Sequence, residues 1–161
     1  MICCNKCDLS KTRYNIVQFN GNRNAKILFI LDLPSINEDI LGKAGVDTSG
    51  KLLYEMIEES GINLMSTGFL NCLLCRPCDK RGGLKREPTL SEMAICANNN
   101  INEIIDRINP LIKVTVGDYA KRFYHSKYHL IDTGIVQLTG GKNSPFYRDC
   151  ILKLERIENE I

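Results

Sequence analysis

Long apolar runs, targeting signals and repeats are all missing from this 161-residue sequence. No stretch reaches the roughly 18 consecutive apolar residues that a membrane-spanning helix needs, and the first residues lack the basic start and apolar run of a secretory signal. Low-complexity tracts are absent as well. We therefore expect a cytoplasmic protein that has no membrane partner, and the length predicts a single domain over residues 1–161.

The sequence also lacks a large excess of charge of one sign. It contains 21 Lys and Arg residues and 19 Asp and Glu residues, which gives a net charge of +2. The basic residues are nevertheless unevenly spread, and one short basic segment contains only Asp79 and Glu87 as acids. Its basic residues are Arg76, Lys80, Arg81, Lys85 and Arg86. Such a cluster is typical of a loop that contacts phosphate groups, and an ordinary solvated loop is the competing interpretation.

Apolar runs and helix signals alternate along the chain. The predicted strands are residues 26–32, 67–74 and 111–117. Ser49 is predicted to cap a helix that ends at Gly61, and Thr89 with Glu92 matches a capping box. The helix opened by this box extends to Asn109-Pro110, and a short helix is predicted over 118–124. This alternation predicts an α/β layered domain with a largely parallel sheet, whose ligands bind outside the carboxyl ends of the strands.

Cysteine, in contrast, is abundant, with eight residues. Thiols stay reduced inside cells, so metal binding or burial is favoured over a disulfide framework. Cys4 and Cys7 have metal-ligand spacing, and the candidates for two further ligands are Cys72, Cys75, Cys78 and Cys96. Spacing alone leaves zinc, an iron–sulfur cluster and unliganded buried thiols open.

Two of these cysteines are further distinguished by their positions. Cys72 lies an odd number of residues from Cys75, so the two face opposite sides of a regular strand and Cys72 is predicted to be a core residue. Cys78 follows Pro77 in the basic segment, where it is predicted to be either a ligand or a reactive, exposed thiol.

Several short motifs occur in a specific order and spacing. They are Cys4-Asn5-Lys6-Cys7-Asp8-Leu9, Gly21-Asn22-Arg23-Asn24-Ala25, Leu31-Asp32-Leu33-Pro34-Ser35-Ile36-Asn37-Glu38-Asp39, Gly50-Lys51-Leu52-Leu53, Asn71 with Cys75-Arg76-Pro77, and Arg86-Glu87-Pro88-Thr89-Leu90-Ser91-Glu92 with Cys96. Together they resemble the motifs of the family 4 uracil-DNA glycosylases, the iron–sulfur branch of that superfamily. The resemblance covers nearly the whole chain and implies one glycosylase-like domain with a three-layer α/β/α fold around a mostly parallel sheet.

The resemblance implies that Cys4, Cys7, Cys75 and Cys96 hold a [4Fe-4S] cluster, with zinc as the alternative metal. Nothing in glycosidic hydrolysis requires electron transfer, so a structural role is expected for the cluster. The basic segment between Cys75 and Cys96 is longer here than in the family, and its five basic residues are expected to contact DNA.

For catalysis, the resemblance places Asp32 where the family has its catalytic glutamate, and it assigns Asn71 to the pyrimidine edge of uracil. Leu33, Pro34, Ser35 and Ser144 are expected to contact the substrate alongside Asn71. The competing interpretations are that Asp32 caps a nearby backbone amide and that Asn71 is an ordinary strand-end amide. A glycosylase must flip its nucleotide out of the duplex, at a cost of a few kcal/mol that phosphate contacts help to offset.

The chain departs from the family at three places. Leu31 and Ser35 replace glycines, Ala44-Gly45 replaces a Pro-Phe pair whose ring stacks on uracil, and Ser144-Pro145 replaces a His-Pro element. The histidines are His125 and His129, which are predicted to be surface residues or to supply the missing function from another loop.

The leading interpretation is a monomeric DNA glycosylase that excises uracil or a related pyrimidine from single- or double-stranded DNA. One alternative is a catalytically weakened relative that acts as a DNA-binding or replication-associated partner. A zinc-stabilised nucleic-acid-binding module is the other.

Overall fold

The computed structural model describes residues 3–131 and 141–161, which form a five-stranded sheet covered by helices on both faces. The strands are β1 (Asn20–Gly21), β2 (Ile27–Leu31), β3 (Thr67–Asn71), β4 (Ile112–Val116) and β5 (Tyr128–His129). They lie in the order β1-β3-β2-β4-β5. Only β1 pairs antiparallel, and the other neighbours pair in parallel. The largely parallel sheet expected from the alternation of strands and helices is therefore confirmed.

The helices are α1 (Leu9–Thr12), α2 (Ile36–Leu41), α3 (Thr48–Glu59), α4 (Leu90–Cys96), α5 (Asn102–Ile108), α6 (Asp118–Phe123) and α7 (Pro145–Glu158). A π-helical turn, Ala97–Ile101, joins α4 to α5, and the combined helical segment ends at Asn109, which adopts a left-handed conformation with φ of 47°. The segment begins at the predicted capping box, because the Thr89 side chain accepts from the Glu92 backbone while the Glu92 side chain accepts from the Thr89 backbone.

The core lies on both faces of β2, whose five residues are all buried. Phe29 belongs to a cluster with apolar residues of α3 and α7, and its neighbour Leu28 belongs to a second cluster with α1, α4 and α6. Alternate side chains of a strand point to opposite faces, so a continuous apolar run fits a strand that is covered on both sides. The three-layer α/β/α fold is confirmed.

Several local predictions need correction. The cap of α3 is Asp47, whose side chain accepts from Gly50 N at 2.8 Å, and Ser49 lies inside the helix. Strand β3 ends at Asn71, three residues before the predicted end at residue 74. Residues 36–41, most of which fall in the motif from Leu31 to Asp39, form α2, a helix that was not predicted, and Ser35 and Glu38 make its capping box. Across residues 3–131 and 141–161, no helix is both long and apolar enough to cross a membrane.

Candidate active site and cysteine cavity

The carboxyl ends of three neighbouring strands coincide, which brings the predicted catalytic residues together. Leu31 at the end of β2 pairs with Asn71 of β3 and with Val116 of β4. Asp32 follows Leu31 directly, and Gly117 follows Val116. The site therefore lies at the edge of the parallel sheet where α/β folds bind their ligands.

Asp32 is held by the first turn of α6. Its Oδ1 accepts a hydrogen bond from the Ala120 backbone N–H at 3.0 Å, so the predicted capping of a backbone amide does occur. Gly117 makes room for this contact, because a Cβ there would lie 2.3 to 2.6 Å from the three carboxyl atoms of Asp32. The pKa of Asp32 is raised by burial, and the Ala120 hydrogen bond and the charge of Lys85 only partly oppose this effect. No other hydrogen bond within the described residues reaches this carboxyl group, so Oδ2 is available to a substrate or water.

Asn71 is 2% exposed, and its side-chain orientation is fixed by acceptors. Its Nδ2 donates to the backbone carbonyl of Asp32 at 3.0 Å and lies 3.4 and 3.5 Å from the two carboxyl oxygens of Glu38. Carbonyl and carboxylate oxygens cannot donate, so the amide nitrogen must face them. Asn71 Oδ1 is consequently left buried without a hydrogen-bond partner in the described part of the chain.

Glu38 connects the Asn71 amide to Ser35 and Gly45, two positions at which the chain departs from the family pattern. Its Oε1 accepts from Gly45 N at 2.6 Å and its Oε2 from Ser35 N at 2.9 Å, while burial raises its pKa. Ser35 is thus half-buried at the start of α2, where its hydroxyl accepts from Glu38 N, and no hydrogen bond within the described residues links its side chain to Asp32 or Asn71. Leu33 and Pro34 are buried between the strand end and this helix.

Gly45, where the family has its stacking phenylalanine, adopts φ of 71°. A Cβ at Gly45 would lie 3.3 Å from the hydroxyl oxygen of Tyr54 on α3. The Tyr54 ring packs against Phe69 of β3, with the ring centroids 4.6 Å apart, and its hydroxyl accepts from Asn20 Nδ2 at 3.0 Å. Nothing in the sequence pattern of α3 distinguishes this aromatic residue from an ordinary helix residue, so it was not predicted to lie beside Gly45.

The basic segment divides into residues that are exposed and residues that are held by acidic groups or buried, and the exposed Arg81 also lies over the Tyr14 ring, with its guanidinium carbon 5.9 Å from the ring centroid. Lys80 and Arg81 are exposed. Arg86 makes a bidentate ion pair with Glu92, at 2.7 and 2.9 Å, and a further contact to Asp79 at 3.1 Å. Arg76 is 6% exposed, so its guanidinium lies inside the protein and not on an open surface.

Lys85 occupies a different position from the other basic residues. Although the residue as a whole is exposed, its Nζ donates to the backbone carbonyl of Leu33 at 3.0 Å. Lys85 and Asp32 both line a groove that is completed by Leu33, Arg86, Glu87 and Tyr119. The structure therefore brings Lys85 to the predicted catalytic carboxylate.

Ser144, the last predicted substrate contact, is buried at the amino end of α7. Its backbone carbonyl accepts from Tyr147 N at 3.0 Å, and no hydrogen bond within the described residues connects it to Asp32 or Asn71. His125 is exposed, and Nδ1 of the half-buried His129 lies 3.0 Å from Thr115 Oγ1.

A separate cavity is lined by the four cysteines that the motifs singled out. Cys4 and Cys7 come from the amino-terminal segment, Cys75 from the loop after β3, and Cys96 from the end of α4. The rest of the lining is mostly apolar, and it includes Leu9, Ile16, Leu73, Leu74 and Ile95. The fold thus collects at one place four thiols that are spread over 93 positions of the sequence.

Nitrogen donors surround the sulfur atoms of this cavity. Arg13 Nη1 lies 3.3 Å from Cys75 Sγ, the Leu74 backbone N lies 3.4 Å from Cys96 Sγ, and Asn100 Nδ2 lies 3.6 Å from Cys4 Sγ. Burial raises the pKa of Cys75 to about 11 and that of Cys96 to about 12, so both are neutral thiols at neutral pH in this structure. Within the described ranges, no three His, Cys, Asp or Glu side chains are close enough together to hold one metal ion.

The remaining cysteines lie outside the cavity. Cys72 is fully buried, as expected for a core residue, but it follows the end of β3, so strand alternation is not the reason. Cys78 is 1% exposed and does not line the cavity, so neither of its predicted environments, ligand or exposed thiol, is observed.

Comparison with known proteins identifies a family profile and several relatives whose names agree with one another. A family profile described as the uracil DNA glycosylase superfamily matches residues 19–155. The chain is 34% identical over 137 residues to the type-4 uracil-DNA glycosylase of Archaeoglobus fulgidus, covering 85% of this chain and 66% of that relative. It is 33% identical over 138 residues to the protein of that name from Saccharolobus solfataricus, covering 85% and 61%.

A third relative, the type-4 uracil-DNA glycosylase of Thermotoga maritima, is 32% identical over 142 residues, covering 88% of this chain and 68% of the relative. The chain therefore spans between 61% and 68% of the length of these three proteins. Their names favour the glycosylase interpretation over the two binding-only alternatives.

Proposed function

This chain belongs to the uracil DNA glycosylase superfamily, and we propose that it hydrolyses the N-glycosidic bond of uracil in DNA. The site at the ends of β2, β3 and β4 contains one carboxylate, Asp32, and one buried amide, Asn71. A carboxylate beside the sugar and a hydrogen-bond acceptor beside the base are the two groups that such a reaction needs from the protein.

The observation that carries this proposal is the unpaired Oδ1 of Asn71. A buried acceptor without a donor costs about 1 to 3 kcal/mol, so its retention favours a role in ligand binding. Uracil presents an N–H group at N3, which matches this acceptor, whereas cytosine presents a lone pair at N3. Glu38 and the Asp32 carbonyl fix the amide so that Oδ1, and not Nδ2, meets the base.

Asp32 has the second role. As the base departs with the electron pair of the glycosidic bond, positive charge develops on the sugar, and an ionised carboxylate nearby stabilises it or orients the attacking water. The hydrogen bond from Ala120 N fixes Oδ1, which leaves Oδ2 to face the reacting sugar or its water. Asp32 must be ionised for either role.

The cysteine cavity fits an iron–sulfur cluster better than a zinc ion. A single zinc ion would draw all four sulfurs to about 2.3 Å from one centre, whereas the larger iron–sulfur cluster suits a cavity with mostly apolar walls and nitrogen donors at its sulfurs, as found here. In a [4Fe-4S] cluster each thiolate binds a different iron, so the sulfurs stand farther apart around an apolar cavity. Cys4, Cys7, Cys75 and Cys96 would hold the cluster, which would tie the amino-terminal segment to the loop after β3 and to α4 without taking part in hydrolysis.

The DNA surface of the proposed enzyme includes Lys80 and Arg81, which are exposed beside the groove residues Lys85 and Arg86. Their positive charges would hold the phosphates that flank the flipped nucleotide. We further propose that residues 1–161 act as one glycosylase domain and as a monomer.

The test compares single-turnover release of uracil and cytosine from matched oligonucleotides. Wild-type protein should release uracil and not cytosine, and Asn71→Ala should slow uracil release by roughly tenfold or more, because the base loses its partner. Asn63→Ala, which removes an amide from the distant turn before β3, is the matched control and should keep the wild-type rate. Equal release of cytosine and uracil, or an unchanged rate in Asn71→Ala, would contradict the proposal.

A further inference from the structure

The loop backbone around Lys85 is fixed by contacts to buried parts of the protein. Its backbone pairs with Cys78 in an isolated antiparallel bridge, and Cys78 is buried. The next residue, Arg86, donates its backbone N–H to the Pro77 carbonyl at 3.0 Å and is anchored by its ion pair to Glu92. The loop therefore directs the Lys85 side chain into the Asp32 groove.

The environment of Lys85 Nζ leaves it chemically available. Its one hydrogen bond to a described residue is donated to the Leu33 carbonyl, and no carboxylate of a described residue lies within ion-pair distance of it. A neutral amine can keep this hydrogen bond and still direct its lone pair elsewhere. Burial lowers the pKa of Lys85, and the positive charge of Arg76 lowers it further. The negative charges of Asp32 and Glu38 act in the opposite direction.

We propose that Lys85 gives the protein a second activity, cleavage of the DNA strand at abasic sites through an imine between Lys85 Nζ and C1′ of the sugar. The inference rests on the proposed function for the position of the sugar, since Asp32 faces C1′ in that account. Lys85 and Asp32 line the same groove, so the amine and the carboxylate share the space in which the proposed function places C1′. Amine nucleophiles that form Schiff bases with carbonyl groups are an established use of lysines with a lowered pKa.

Besides water, the chemistry requires only the groups in the groove and the DNA. The lone pair of Nζ attacks the C1′ aldehyde of the ring-opened abasic sugar, loss of one water molecule gives an imine, and the imine nitrogen takes up a proton from solvent. The imine acidifies the C2′ hydrogen, which the Asp32 carboxylate removes, and the electron pair expels the 3′ phosphate. Water then hydrolyses the imine, which releases Lys85 and an unsaturated aldehyde at the 3′ end.

The test traps the imine directly. An oligonucleotide with a single abasic site, prepared without this protein, is incubated with the full chain and sodium cyanoborohydride, which reduces the imine to a stable amine. A covalent protein–DNA adduct should form, and peptide mass spectrometry should place it on Lys85. Without the reductant, the strand should be cut on the 3′ side of the abasic site.

Two arginine variants control for charge and for other lysines. Lys85→Arg keeps a positive charge but presents a guanidinium that stays protonated, so the adduct should be lost. Lys26→Arg changes an exposed lysine at the opposite, amino end of β2 and should give the wild-type yield of adduct. An adduct that persists in Lys85→Arg, or no adduct from wild-type protein at concentrations that saturate the oligonucleotide, overturns the proposal.

This experiment distinguishes a failure of the lyase proposal from a failure of the uracil proposal. Because the abasic oligonucleotide is supplied directly, trapping does not depend on uracil release. Uracil release without trapping rejects the lyase activity alone, whereas trapping on Lys85 without uracil release rejects the uracil assignment and keeps the role of Lys85.

Discussion

Replacing Gly117 by alanine should disable the site through the position of Asp32. A Cβ at residue 117 would lie 2.3 Å from Asp32 Cγ and 2.5 and 2.6 Å from its two oxygens, whereas ordinary contacts begin at 3.4 Å. The carboxyl group must therefore move by about 1 Å, and a displacement of this size costs on the order of 100-fold in rate when it misplaces a catalytic group. The residue also has φ of 105°, so alanine adds about 1 to 3 kcal/mol of backbone strain.

Gly61→Ala separates these two effects. Gly61 also has positive φ, 86°, but a Cβ there would meet nothing within 4 Å. Both variants should be less stable in denaturant titrations monitored by circular dichroism, and only Gly117→Ala should lose single-turnover uracil release. A Gly117→Ala protein that folds and releases uracil at the wild-type rate would refute the assignment of Asp32.

Three further predictions concern pH, DNA and the cysteines. In a single-turnover pH–rate profile, activity should fall on the acid side with a midpoint above pH 3.8, where 3.8 is the ordinary pKa of aspartate. The reason is that burial raises the pKa of Asp32 and that the protonated carboxyl group is inactive. A midpoint at or below pH 3.8 would contradict this. Replacing Lys80 and Arg81 by glutamate should weaken DNA binding and reduce the slope of log affinity against log salt by roughly 0.9 per lost phosphate contact, and an unchanged slope would remove both residues from the interface. Cys75→Ala should remove the visible absorbance and bound iron of anaerobically purified protein. Cys150 is buried outside the cavity, so Cys150→Ala should retain both. Stoichiometric zinc in a colourless wild-type protein would reject the cluster.

The elements that were predicted correctly have strong local signals. The apolar run of β2 is buried on both faces, and the Thr89–Glu92 capping box starts α4. Helix α2 was missed although Ser35 and Glu38 have the same capping-box spacing, because both residues were considered only as part of the motif from Leu31 to Asp39. Helix α7 also had a signal in Pro145, which is favoured in the first turn of a helix, but this residue was considered only as part of a motif.

The site could be predicted only in part, because its contacts join distant segments. Asp32 and Asn71 were predicted as site residues from motifs, and the parallel register explains why they lie close together. Lys85 was counted with the phosphate-contacting residues, since its distance to Asp32 depends on how the long loop folds back through the pairing of Cys78 with Lys85. Local charge density cannot distinguish an exposed arginine such as Arg81 from a buried one such as Arg76.

The most direct test of the central claim is single-turnover release of uracil from single- and double-stranded oligonucleotides by wild-type protein and by Asp32→Asn. Asparagine keeps the shape of the side chain and an oxygen that can accept from Ala120 N, but it carries no charge. Wild-type protein should release uracil, and the variant should be slower by roughly 100-fold or more because the developing charge on the sugar loses its partner. No release from wild-type protein that binds the DNA, or equal release by the variant, would contradict the account.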